Sequence, residues 1–184
     1  MEERAQPVSS MKDTIMDADF DPDIDGPGKD ATAMVWHDGD AVQTTMRWGL
    51  EPFGDFRGPV SLLRSETTEV DRPCLIPAND FGLKIDGKTK YRASLITPKP
   101  FFCLAGIWRP ATRSWPASFA VLTVEAYPDI APYKERHVSV VRPEDWYPWL
   151  MQSKEKSEVL FPFPEGSFTI HGAPMKKASG DLFG

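Results

Sequence analysis

Apolar residues along this chain come in short runs broken by Gly, Pro, Asp and Asn, a pattern that predicts strands in preference to long helices. The first run, 33–36, is followed by His37-Asp38-Gly39-Asp40 and a second extended stretch, 41–48. An Asp-Gly pair between two such runs predicts a hairpin closed at Asp38-Gly39. Further strands are expected at 60–63, 74–76, 83–85 turning at Asp86-Gly87 into 89–93, 101–108, 119–125 and 137–141. Eighteen prolines disfavour long helices. One short helix is expected at 143–151, with Pro143 in the tolerated first turn and Pro148 limiting its regularity. The tail from Phe161, rich in Pro and Gly, is expected to pack as an extended segment. Residues 1–30 lack periodicity and read as an acidic, loop-like segment, and 31–184 read as a single domain. The expected fold class is α+β, a mostly antiparallel, partly barrel-like sheet with short helices.

Composition narrows the setting. A chain of 184 residues, 41% hydrophobic, can bury a substantial core. The net charge of −6 argues against a generalised nucleic-acid binder, but it is unevenly spread. Residues 1–40 hold eleven acidic and three basic side chains, leaving 41–184 with a net +2. Seven basic residues (Lys84, Lys88, Lys90, Arg92, Lys99, Arg109 and Arg113) face a single acid, Asp86, and read either as a phosphate-facing stripe or as an ordinary solvated strand face. The sequence offers no apolar stretch of the roughly 18 to 20 residues a membrane span needs and no secretory start, so a cytoplasmic location is expected. Cys74 and Cys103, both in apolar surroundings, read as buried thiols.

Several motifs recur in order: Arg47-Trp48-Gly49-Leu50, Arg64-Ser65-Glu66, Cys74-Leu75-Ile76-Pro77-Ala78, Ala105-Gly106-Ile107-Trp108, Leu122-Thr123-Val124-Glu125-Ala126, Ala131-Pro132 and His137-Val138-Ser139-Val140-Val141. In this order and spacing, over about residues 40–165, the chain resembles the SRAP family (SOS response-associated peptidase, the abasic-site processing proteins). The resemblance implies a partly barrel-like α+β fold, a role in DNA damage and the SOS response, and binding of single-stranded DNA, abasic-site DNA included. It also implies a chemistry. In the family an N-terminal cysteine condenses through its amine and thiol with the ring-opened sugar aldehyde, giving a thiazolidine crosslink, while asparagine, glutamate and histidine side chains move protons around it.

Carried over residue by residue, none of these four reactive groups is matched. Glu2 stands where the cysteine belongs, Leu62 where the asparagine does, Leu83 (or Gly82, with a slip of one) for the glutamate and Lys134 for the histidine. His137 lies three residues beyond Lys134, which in extended chain points the other way, and reads as a strand histidine. The expectation is therefore a degenerate crosslinking and peptidase-like site: no catalytic residue, no cofactor and no metal, in effect a pseudoenzyme.

The resemblance leaves a binding frame of Trp48, Arg64 and Arg136, matching family residues beside the bound nucleotide and on DNA phosphates. An arginine fork suits phosphate oxygens, and an indole face stacks on any base. Against this, Trp48 also reads as core, and Arg64 as the partner of Glu66 or Glu125. Other chemistries are thinner. A cysteine hydrolase would pair Cys74 or Cys103 with His37, His137 or His171. Alternating Asp17, Asp19, Asp21, Asp23 and Asp25 lack the glycine and terminal glutamate of a calcium loop. The second reading is a fold relic serving protein interaction, with Trp146, Tyr147 and Trp149 as either a partner patch or a helix face docked on the core.

Overall fold

A computed structural model describes residues 26–85 and 89–174 of the chain. Glu2, the aspartate series 17–25, the Asp86-Gly87 turn and Lys88 lie outside them.

The expected first hairpin is present. Strands β1 (Asp30–His37) and β2 (Asp40–Trp48) pair antiparallel from Asp30↔Arg47 to His37↔Asp40. Asp38 and Gly39 take φ of 50° and 79°, the double left-handed turn whose twist matches the strands it joins. β3 (Leu62–Arg64) is short; β4 (Pro73–Ala78) is buried along its whole length, because it lies between β1 and β7 (Phe102–Arg109) with both faces covered. β8 (Ser118–Glu125) pairs antiparallel with β7, and parallel with the end of β2 and with β3.

The pairings thus return on themselves through β1, β2, β8, β7 and β4. Two-residue ladders join β1 to β4 and β2 to β8, which makes the sheet partly barrel-like without a full barrel wall. With the short helices described below, the class is α+β, as expected.

One expected strand is two. β9 (Arg136–Val138) pairs with β8, and β10 (Val140–Val141) pairs with β7. Ser139 is the crossing point: its N–H donates to Leu122 O and its carbonyl accepts from Ala105 N, so the chain leaves one strand for the other there.

A second sheet contains β5 (Phe81–Ile85), β6 (Thr89–Leu95) and β11 (Phe168–Pro174), with the tail expected to be extended supplying the third strand. Aromatic contacts weld it to the first sheet: Phe81 stacks on His137 at 5.4 Å and meets Phe168 at 5.9 Å, and Tyr127 contacts both Phe163 and Phe168. The approach to β11 is fixed by Asp129, whose carboxylate accepts from the backbone N–H groups of Gly166, Ser167 and Phe168.

The helix expected over 143–151 divides into a 3-10 turn (Pro143–Asp145) and α1 (Trp146–Met151); a further turn, α2 (Lys156–Val159), was not anticipated. Trp146 and Trp149 are buried, and their indole N–H groups donate to Val141 O and Cys74 O. Of the two readings of these aromatics, the docked helix face is the correct one, with Tyr147 half-buried at its edge against Trp36.

Candidate nucleic-acid interface

Three neighbouring strands organise the region where the sequence motifs converge. In the ladder β3–β8–β9, Arg64 lies opposite Thr123, Thr123 opposite Val138, and Glu125 opposite Arg136. β3 therefore brings Leu62 and Arg64 to one side of β8, and β9 brings Arg136 to the other.

Arg136 is fully engaged. Its guanidinium grips both oxygens of Glu66 at 2.7 and 3.1 Å and donates to the Thr123 carbonyl at 2.9 Å, with only 19% of the side chain exposed. Hydrogen bonding from Arg136 holds the Glu66 carboxyl below the usual carboxylate range, with Arg64 adding a smaller pull. Of the two acids that the sequence offered to Arg64, Glu66 is thus taken by Arg136. Arg64 is exposed, and its guanidinium has no hydrogen-bond or ion-pair partner among the described residues.

Trp48 is half-buried and serves two ends. It stacks on Phe119 (6.2 Å between ring centres, planes at 11°), and its Nε1–H donates to Ser61 O at 2.8 Å. That bond pins the residue immediately before Leu62, so Trp48 sets where β3 begins.

The positions the resemblance marks as reactive fall in different environments. Leu62 is 43% exposed, Leu83 is buried and Lys134 is exposed. His137 is 2% exposed; Nε2 accepts from Tyr127 N at 3.0 Å and Nδ1–H donates to Val138 O at 2.7 Å. With both nitrogens used and burial pushing its pKa down to about 4, it is a neutral core histidine. The two thiols are fully buried, and desolvation holds both protonated, which leaves no thiolate for a cysteine hydrolase. His37 and His171 are on the surface, against Asp38 and Ser94.

Three of the described members of the basic run already have partners in the protein. Arg92 pairs with Asp80, Arg109 with Asp71, and Lys99 lies over the Trp146 ring. Among the described residues, no three His, Cys, Asp or Glu side chains gather as a metal group, and no helix is long and apolar enough to cross a membrane.

Sequence reasoning missed the loop between β2 and β3. Leu50 and Val60 bridge its base with bonds of 2.9 and 3.0 Å, and the intervening segment holds Phe53 and Phe56 outward, each 48% exposed, their rings 5.3 Å apart. Together with Leu62, Leu63 and Ile107 they line a groove of about 600 Å³ rimmed by Arg64, Thr67, Thr68, Glu69 and Arg109. A second groove, of about 400 Å³, shares Phe53 and Arg109 and continues past Arg72 and Trp115. The available signal was two phenylalanines in a Gly- and Pro-rich segment with no periodicity, and hence no core face to join.

The family model described as SOS response associated peptidase (SRAP) matches residues 4–176, nearly the whole chain. The chain belongs to the SRAP family. A comparison with curated proteins found no match. Membership associates this SRAP protein with the SOS response to DNA damage and with DNA as its partner.

Proposed function

We propose that this SRAP protein binds single-stranded DNA, abasic strands included, through Arg64 and the groove beside it, and that it forms no thiazolidine crosslink. The observation that carries the reading is an exposed guanidinium without a protein partner at the rim of a groove with exposed aromatic walls. Such a pairing suits a strand whose phosphates need cations and whose bases need flat surfaces.

Trp48 supports the site by holding Ser61, and half of its ring is already committed to Phe119. Arg136 contributes through Glu66, as a brace. Loss of the crosslink rests on side chains within the chain: Leu62 and Leu83 are aliphatic where proton-transfer groups would stand, and Lys134 is no substitute for a histidine that must both give and take a proton near neutral pH.

The test is a fluorescence titration of a labelled single strand at several salt concentrations. Binding should weaken steeply as salt rises. Arg64→Ala should lower affinity about fivefold to tenfold at low salt and flatten the log–log salt slope by about 0.7, the value of one lost phosphate contact on a single strand. Salt-independent binding, or an unchanged slope in the variant, contradicts this reading.

A further inference from the structure

The groove beside Arg64 is built for a different guest from the sugar aldehyde that the crosslinking chemistry captures. An open abasic sugar is small and polar, has no π face, and is recognised by hydrogen-bonding and proton-transfer groups. The groove presents the reverse. Its apolar lining is Leu62, Leu63 and Ile107 together with Phe53 and Phe56. Phe53, Phe56 and Leu62 are also among the few large apolar side chains left well exposed on the described surface. Exposed aromatics gathered at one place, next to an unpaired arginine, mark a surface that is covered in use.

The occupant must offer a flat apolar face and a negative charge within reach of the rim. The volume of about 600 Å³ falls in the range of sites that enclose small ring systems, roughly 300–1,000 Å³. Arg64 makes no ion pair among the described residues and feels Glu66 only at longer range, whereas Arg109 in the same lining is held by Asp71 at 2.9 Å. Glu69 on the same rim disfavours a guest carrying negative charge on every side. A nucleotide within a single strand meets these conditions, with its base stacked on the exposed side of the Phe53–Phe56 pair and its phosphate at Arg64.

We infer that this groove takes an intact nucleobase, so that the protein prefers undamaged single-stranded DNA to a strand lacking bases. The inference rests on the DNA-binding reading above and deepens it. Base–aromatic stacking alone predicts about a tenfold preference for the intact strand.

The experiment compares a short labelled strand with one of equal length in which a run of consecutive nucleotides is replaced by tetrahydrofuran abasic units, so that the register of binding does not matter. Wild type should bind the intact strand about tenfold more tightly. A 2-aminopurine in the intact strand should lose fluorescence on binding as it stacks. Phe53→Ala/Phe56→Ala should bring the two strands to nearly equal affinity, with the salt-dependent component from Arg64 retained. Leu62→Asn, a change at an exposed position, should narrow the gap without altering the melting temperature. Equal affinities in wild type, or tighter binding of the abasic strand, overturn the inference while leaving the DNA-binding reading intact. Binding of neither strand overturns both.

Discussion

His137 lies flat on Phe81 and meets the edge of Tyr127 at 4.2 Å, with its ring nitrogens bonded to backbone on either side. Its pKa falls from 6.5 to about 4 on folding, chiefly through burial. The unfolded chain therefore binds a proton that the folded chain refuses, and stability drains away as pH drops from 6.5 toward 4. Urea unfolding should reveal a loss of about 2 kcal/mol by about pH 5, and His137→Gln should lack this component. An equal pH slope in the variant would mean that another group carries the effect. Glu66 is the other informative side chain. It neutralises Arg136 in a pair that is half open to solvent, so the pair itself stabilises by about 1 kcal/mol at most. Glu66→Gln should free Arg136 and tighten single-strand binding about twofold to fivefold at low salt in the same titration; unchanged affinity would place Arg136 away from the strand.

At the scale of elements, the sheet depends on close approach at Gly106. This residue of β7 pairs with Cys74 on β4 and Val121 on β8, and a Cβ there would lie 2.6 Å from Ile76 Cδ1 and 2.8 Å from the Ala120 carbonyl oxygen. The carbonyl belongs to the backbone of a central strand and has nowhere to move. Gly106→Ala should cost about 1–3 kcal/mol, a fall of several degrees in melting temperature by calorimetry, and an unchanged melting point would show that the strands can part there. Most of the strands were legible because they carry their own signal, an apolar run between turn residues, and the Asp38-Gly39 turn gave away its hairpin; β11, without such a run, read only as an extended tail. The break at Ser139 was not legible: His137 to Val141 has one continuous pattern, and the switch from β8 to β7 depends on which neighbours stand on each side. α2 escaped notice because four residues are too few to show a period, and it is held by its capping box of Glu155 and Glu158. The pairing of Glu66 with Arg136 was equally hidden. The two are 70 residues apart, and the nearer Arg64 competed for the same acid on paper.

For the molecule as a whole, the family match spans nearly the whole chain, and the side chains at the positions the resemblance marks as reactive are Leu62, Leu83 and Lys134. A fold can keep its strand framework when a reactive group is substituted, because the framework is core packing, while a proton-transfer group is a single side chain that one substitution removes. Holding a strand and reacting with it are therefore separable. The most direct measurement mixes the purified protein with single-stranded DNA bearing one abasic site, beside an undamaged strand, and runs both on native and denaturing gels. Binding without crosslinking requires a native shift for both strands and no band that survives denaturation. A denaturation-stable crosslink formed without borohydride would contradict it.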